Sequence, residues 1–222
     1  MGSWLRLLRT SSIGKKVVMA VSGLLLIGFL IAHLAGNLLI FSGDRGAAFD
    51  EYAAKLEANP LLPVVEVGLF VLFAVHILMA LRVSSENRQA RRRGYAVRST
   101  MGERTLASAS MLFTGIVVLA FLVVHIADFR IGKRSMDPAT GSLAALVKKR
   151  LREPLGAAVY LAGVTALGIH LRHAFRSALQ TLGVSHPRLN PLLVRLGWII
   201  AIVLGVGFAS FPIVLFASGG SR

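Results

Sequence analysis

The sequence predicts an all-α fold, an integral membrane bundle of five transmembrane helices forming a single membrane domain over residues 1–222. Composition is the first observation: 55% of the residues are hydrophobic, only 16% are charged, and the mean hydropathy is +0.70. The second is distribution, because the charge is confined to short blocks between apolar runs of about 20 residues or more, the length that spans a bilayer. These patterns exclude most soluble classes, despite a formal net charge of +15.

Five stretches meet the length requirement, and we expect them at about residues 17–41, 61–83, 105–129, 155–179 and 191–217. The first is too long for the apolar region of a cleaved signal peptide, and no small-residue cleavage site follows it. The five spans take up more than half of the chain, which leaves no segment for a separate soluble domain. Between the third and fourth spans, residues 143–151 predict an amphipathic helix at the membrane interface.

The distribution of Lys and Arg predicts the orientation of the bundle. The N-terminus, the loop after the second span and the link between the fourth and fifth spans carry 15 basic and two acidic residues. The opposite side carries ten basic and eight acidic residues, so the net charges are +13 and +2. We therefore expect a cytoplasmic N-terminus and an outside C-terminus, although seven basic residues between Arg130 and Arg152 run against this orientation.

Docking of an acidic soluble partner is compatible with the basic face. Nucleic-acid binding is not indicated, since Arg91, Arg92 and Arg93 have no aromatic neighbours or binding motif.

Histidine is the residue type that indicates a functional site in this sequence. The chain has no cysteine, which excludes disulfides, Cys-ligated zinc, iron–sulfur clusters and haem attached through C-x-x-C-H. Five histidines lie in the spans or at their ends, where ionisable groups are costly and are functional candidates by default. Counting residues along the alternating spans places His33 and His125 in the outer half of the membrane, and His76 and His170 in the inner half. These are called the outer pair and the inner pair below.

Two histidines at one level on different helices are what axial ligation of a haem iron requires. The two levels should be roughly 10–15 Å apart. Small residues in the first, third and fourth spans leave room for a porphyrin, although glycines also serve close helix packing. Zinc is disfavoured because two histidines per level are too few ligands, whereas a proton relay through paired histidines remains an alternative. His173, one turn from His170, could ligate in its place or bind a haem propionate, and His186 beside Pro187 is expected in an exposed loop.

Two segments of the sequence indicate a particular protein family more specifically than the histidine pattern does. The first span contains Ser12-Ile-Gly-Lys-Lys, Ser22-Gly-Leu and His33-Leu-Ala-Gly-Asn-Leu, and the fourth contains His170-Leu-Arg-His173-Ala-Phe-Arg. They resemble the first and fourth helices of the cytochrome b558-type membrane anchor subunit of succinate dehydrogenase/fumarate reductase. The resemblance covers nearly the whole chain, with His76 and His125 matching by position in their helices only. Ala174 departs from the family pattern, in which glycine is expected after the second histidine.

The resemblance implies a subunit with two haems b, transferring electrons within succinate:quinone oxidoreductase in a bacterial cytoplasmic membrane. His33 and His125 would hold the outer haem, and His76 and His170 the inner haem, with His170 preferred to His173. An iron–sulfur subunit and a flavoprotein subunit with FAD would bind on the cytoplasmic side, and a higher oligomer of the complex is compatible with this. The substrate would be a quinone, menaquinone or ubiquinone.

Further residues are candidates for the groups around the haems. Lys16, Arg82 and His173 could bind propionates of the inner haem, or the two cations could anchor helix ends by snorkelling. Glu66 lies in an apolar run near the outer end of the second span and could transfer protons to a quinone; a snorkelling carboxylate is the alternative. Asp128 is expected to cap its helix or to pair with Arg130.

Two other functions remain open from the sequence. One is the cytochrome b subunit of a different quinone-linked dehydrogenase, such as a formate dehydrogenase or hydrogenase. The other is a proton channel or transporter that uses the histidines, against which the sequence shows no evident inverted repeat.

Overall fold

The computed structural model describes residues 11–90, 106–136 and 141–219, and within these ranges the chain is helical and has no strand. In these ranges seven α helices follow one another, with these bounds: α1 Ser12–Leu38, α2 Ala47–Glu57, α3 Leu62–Ala90, α4 Leu106–His125, α5 Leu143–Arg152, α6 Pro154–Thr181 and α7 Asn190–Gly219. Five of them, α1, α3, α4, α6 and α7, are long and apolar enough to cross a membrane. The predicted all-α architecture with five spans is confirmed.

The spans extend a little beyond their predicted bounds, over Ser12–Phe41, Leu62–Gln89, Ser110–Ser135, Pro154–Thr181 and Asn190–Gly219. The first begins early because the Ser11 side chain caps it, accepting a hydrogen bond of 2.9 Å from the Gly14 N–H. The third continues past its predicted end because a π-helical turn, Ile126–Ile131, and a short 3₁₀ turn follow His125. Its predicted start at residue 105 lies outside the described residues.

The packing of the spans leaves one side of the bundle open. The first span packs against the second and the fourth, the third packs against the fourth, and the fifth lies mainly on the fourth. Within the described residues, the second and third spans make at most marginal contact. Glycines allow the close approaches elsewhere: Gly163 lies against the Phe121 ring with no room for a Cβ, and a Cβ on Gly207 would be 2.6 Å from Leu34.

Two short helices cover the face of the bundle where the first and third spans end. The helix predicted over residues 143–151 is confirmed as α5, and it packs against α2, which the sequence analysis did not predict. Asp50 of α2 caps α5, because its carboxylate accepts 2.6 Å and 2.9 Å hydrogen bonds from the Ser142 hydroxyl and the Ala144 N–H. We call this side the capped face.

A tight turn leads into α2. The Asp44 carboxylate accepts hydrogen bonds from the Ala48 N–H at 2.7 Å, the Gly46 N–H at 2.9 Å and the Ser42 hydroxyl at 2.9 Å. These bonds, the one from Ala48 first, hold the pKa of Asp44 below its ordinary value of 3.8. Gly46 has φ of 99°, a left-handed conformation that favours glycine.

Basic residues on the capped face are paired with its acidic residues. Arg130 bonds Glu66 at 2.9 Å, Lys133 bonds Glu57, and Arg150 bonds Asp128 at 2.8 Å. Three of the seven basic residues between Arg130 and Arg152 are therefore in ion pairs.

Candidate functional site

The outer pair comes together in the structure. The ring centroids of His33, on the first span, and His125, on the third, are 5.8 Å apart, and the ring planes are at 85°. Aromatic rings surround them: Phe29 stacks on His33 at 5.3 Å, and Phe129 contacts His125 edge-on at 5.3 Å. In the described part of the chain, neither imidazole has a hydrogen-bond partner, so packing alone orients these two rings.

The inner pair is held differently. His76 points its Nδ1 at the first span, where the Ser22 hydroxyl and the Met19 carbonyl oxygen each lie 3.2 Å away. Gly23 leaves room for this contact, because a Cβ there would be 3.1 Å from Cε1 of the His76 ring.

His170 has matching surroundings on the third span. Its Nδ1 lies 3.3 Å from the Thr114 hydroxyl. A Cβ on Gly115 would be 3.5 Å from Cε1 of the His170 ring. The structure therefore brings His33 and His125 together, and it places His76 against the first span and His170 against the third.

These matching surroundings reflect a repeat that the sequence analysis missed. The first and third spans align at an offset of 92 residues, with these equivalences: Met19 and Met111, Ser22 and Thr114, Gly23 and Gly115, Phe29 and Phe121, His33 and His125. The second and fourth spans share the pattern His-x3-Ala-x-Arg, which starts at His76 and His170. Both histidine pairs thus consist of equivalent residues. The repeat is parallel and not inverted. Its alignment of Ser22 with Thr114 is the sequence signal that identifies Thr114.

The same repeat gives the separation of the two levels. Ser22, at the level of the inner pair, lies eleven residues before His33, and Thr114 lies eleven residues before His125. At 1.5 Å per residue the levels are about 16 Å apart along each helix, slightly more than the sequence estimate.

The residues fit the axial ligation of haem. Two imidazoles on a common metal, each with a metal–nitrogen bond of about 2 Å, have ring centroids about 6 Å apart, close to the 5.8 Å between His33 and His125. All four rings are only half-buried although they lie within spans. Among the described residues no three His, Cys, Asp or Glu side chains form a group that could hold a metal ion.

The predicted propionate partners differ in their exposure. Lys16 and Arg82 are exposed, and His173 is half-buried. The buried cation at this end of the first span is Lys15, which is 8% exposed and pairs with Glu86 of the second span.

His186 lies in an exposed turn, as predicted, where its Nδ1 accepts a 3.2 Å hydrogen bond from the Arg188 N–H.

The two acidic candidates lie near the outer pair, at the capped face. Glu66 of the second span bonds Arg130 of the third at 2.9 Å, which links two spans that otherwise scarcely touch. Asp128 accepts hydrogen bonds from Arg150 at 2.8 Å and from the Tyr160 hydroxyl at 3.1 Å. The bond from Asp128 raises the pKa of the Arg150 guanidinium above its ordinary value.

The predicted pairing of Asp128 with Arg130 is wrong. Side chains two positions apart on a helix do not face each other, and here Arg130 turns to the second span while Asp128 turns to Arg150 and Tyr160.

Comparisons of the chain with protein-family models, curated proteins and solved structures find no match. The site is therefore interpreted from its own geometry and chemistry.

Proposed function

We propose that this chain is a dihaem cytochrome b, the membrane-anchor subunit that passes electrons between the iron–sulfur subunit of a succinate dehydrogenase/fumarate reductase and a membrane quinone. The observation that carries the proposal is the contact of His33 with His125, together with two further histidines, His76 and His170, at equivalent positions of the second and fourth spans. The resemblance of the first and fourth spans to that family supports the particular enzyme.

The chain's own residues account for most of what such a subunit needs. Haem b, when bound, supplies a one-electron Fe(III)/Fe(II) couple. The outer and inner pairs would hold the two irons, and the apolar spans would keep water away from them. Because the two levels are about 16 Å apart, the pairs mark out a path across the bundle toward its two faces.

The charge distribution supports the orientation and the partners. The face opposite the capped face carries the larger excess of Lys and Arg, which favours the cytoplasmic side. In this proposal the iron–sulfur and flavoprotein subunits dock there, and the capped face with Glu66 lies outside the bacterial cytoplasmic membrane. Electrons from succinate would then reach the inner pair first.

The deciding experiment is haem quantification in protein purified from its native membrane. The pyridine haemochrome assay should give two protohaems per 23.8 kDa polypeptide. The exposed His186→Ala variant is the matched control and should keep both haems, while His33→Ala and His76→Ala should each lose one. Haem-free wild-type protein would overturn the proposal in favour of a channel or transporter. Co-purification with subunits that oxidise a substrate other than succinate would assign the cytochrome to another dehydrogenase.

We further propose that Glu66 transfers protons for a quinone bound beside the outer haem. Quinol oxidation releases two protons, so the site needs a group that exchanges protons with water. The Glu66 side chain is 42% exposed, and its link to Arg130 spans the open side of the bundle, where a hydrophobic quinone could approach from the lipid.

The test of Glu66 is Glu66→Gln in the assembled complex. Quinone-linked turnover should collapse, while both haems stay bound and dye-linked succinate oxidation at the soluble subunits persists. Glu51→Gln is the matched control, because Glu51 also lies on the capped side and forms an exposed ion pair, with Lys55. Full quinone-linked turnover in Glu66→Gln, or an equal loss in Glu51→Gln, would eliminate the proposed role.

A further inference from the structure

The hydrogen bonds of the inner pair determine which ring nitrogen carries the proton. A backbone carbonyl can only accept a hydrogen bond. Since Nδ1 of His76 lies 3.2 Å from the Met19 carbonyl oxygen, it must be the protonated nitrogen. The Ser22 hydroxyl hydrogen is used on the Val18 carbonyl at 2.8 Å, so its oxygen faces the ring as a second acceptor. This leaves Nε2 of His76 with a free lone pair, the form that binds metal.

The arrangement recurs at His170 and is shielded from water. The Thr114 hydroxyl donates to the Ser110 carbonyl at 2.9 Å and presents its oxygen to Nδ1 of His170. Ser22 and Thr114 are 4% and 5% exposed, so water does not replace their oxygens. Two independent positions, related by the internal repeat, thus make the same contact.

We infer that Ser22 and Thr114 are positioning residues that, together with the Met19 carbonyl beside His76, hold His76 and His170 in the Nδ1–H tautomer, keep Nε2 available for the iron, and lower the reduction potential of the inner haem. The inference rests on the proposed function. An acceptor at Nδ1–H makes an imidazole a stronger electron donor, which stabilises the ferric state. The outer pair has aromatic neighbours instead of acceptors, so the effect is confined to the inner haem.

A redox titration tests the inference. Thr114→Val removes the hydroxyl at nearly constant volume, and combined with Ser22→Ala it should shift the reduction equilibrium of the inner haem about tenfold toward the ferrous form. For one electron this is a rise of about 59 mV. The outer haem should not change. Thr114→Ser keeps the hydroxyl and should retain the wild-type potential.

Thr165→Val is the matched control, since Thr165 lies on the helix of His170 but is exposed and bonds only the Leu161 carbonyl at 2.7 Å. An unchanged inner potential in the double variant, or an equal rise in Thr114→Ser or Thr165→Val, would overturn the inference. If Thr114→Val loses the inner haem while Thr114→Ser keeps it, the hydroxyl is required and the inference stands. Loss of the haem in both would show that side-chain shape matters and would overturn it.

A second readout does not depend on haem. In ¹⁵N-histidine-labelled, haem-free protein in detergent, the His76 and His170 signals, assigned with His→Gln variants, should have the shifts of the Nδ1–H tautomer. The Nε2–H tautomer at both would contradict the inference. Wild-type protein that never binds haem refutes the proposed function, whereas loaded protein whose variants keep their potentials refutes only this inference.

Discussion

Replacing Asp128 with asparagine should destabilise the folded bundle by about 2 kcal/mol. Asp128 and Arg150 have side-chain exposures of only 21% and 26%, and Asp128 also accepts the Tyr160 hydroxyl. Hydrogen bonds to charged groups contribute about 1.5–3 kcal/mol each. Removing one partner of a fully buried ion pair costs about 3–5 kcal/mol. The remaining exposure allows solvent to screen Arg150, so the expected cost of Asp128→Asn is lower than this range.

The stability cost of Glu66→Gln serves as the comparison for that of Asp128→Asn in the same protein. Its ion pair with Arg130 has side-chain exposures of 42% and 51%, and exposed pairs of this kind contribute about 0–1 kcal/mol. We therefore expect Glu66→Gln to cost less than about 0.5 kcal/mol. The order of the two costs follows from solvent exposure and from the additional hydrogen bond that Asp128 accepts from Tyr160, because both carboxylates bond an arginine at nearly the same distance.

The assay is SDS-induced unfolding in mixed micelles, followed by circular dichroism, for wild type, Asp128→Asn, Arg150→Gln and the double variant. The double-mutant cycle should give a coupling energy of about 1–2 kcal/mol, and Tyr160→Phe should cost about 1 kcal/mol. Equal losses for Asp128→Asn and Glu66→Gln, or a larger loss for Glu66→Gln, would refute the reasoning. In that case a turnover defect of Glu66→Gln could no longer be separated from instability.

Three further predictions concern the histidine pairs, the basic residues and the turn before α2. Replacing either member of the outer pair should perturb one haem spectral component, and replacing either member of the inner pair the other; a component shared between the pairs would contradict the assignment. Replacing Lys16, Arg82 and His173 together with neutral residues should lower the inner haem potential, because the positive charges of Lys16 and Arg82 favour the reduced state, and an unchanged potential would leave these two cations as helix anchors. Since the pKa of Asp44 is below 3.8 in the folded protein, its contribution to stability is present above that pH and is lost as the pH falls through the lower value. The chemical shift of the Ala48 amide should change with pH around this lowered pKa in the wild type, and it should not change there in Asp44→Asn.

Hydropathy was sufficient to predict the five spans, because a bilayer imposes one length requirement on every span. It did not predict their ends. The cap at Ser11 depends on a single hydroxyl, and the π-helical turn after His125 has no sequence signal of its own. Helix α2 was missed because it is short and amphipathic, and it is stabilised by packing on α5, which is distant in the sequence.

The pairing of the histidines was predictable for a related reason. Depth follows from counting residues along straight helices, so His33 and His125 could be placed at one level without knowing which helices are neighbours. The hydroxyls of Ser22 and Thr114 could not be assigned in this way, because their contacts depend on helix rotation. The ion pair of Asp128 with Arg150 also depends on rotation, and here the sequence-based prediction was wrong.

The internal repeat divides the first four spans into two equivalent halves of two spans each. Each pair takes one histidine from the first two spans and one from the next two, so neither half of the chain contains a complete site. Two copies of either half, joined as the two halves are joined here, would bring together equivalent histidines. The protein is in this sense a covalently joined dimer, and a polypeptide cut between the second and third spans should still assemble both sites from its two fragments.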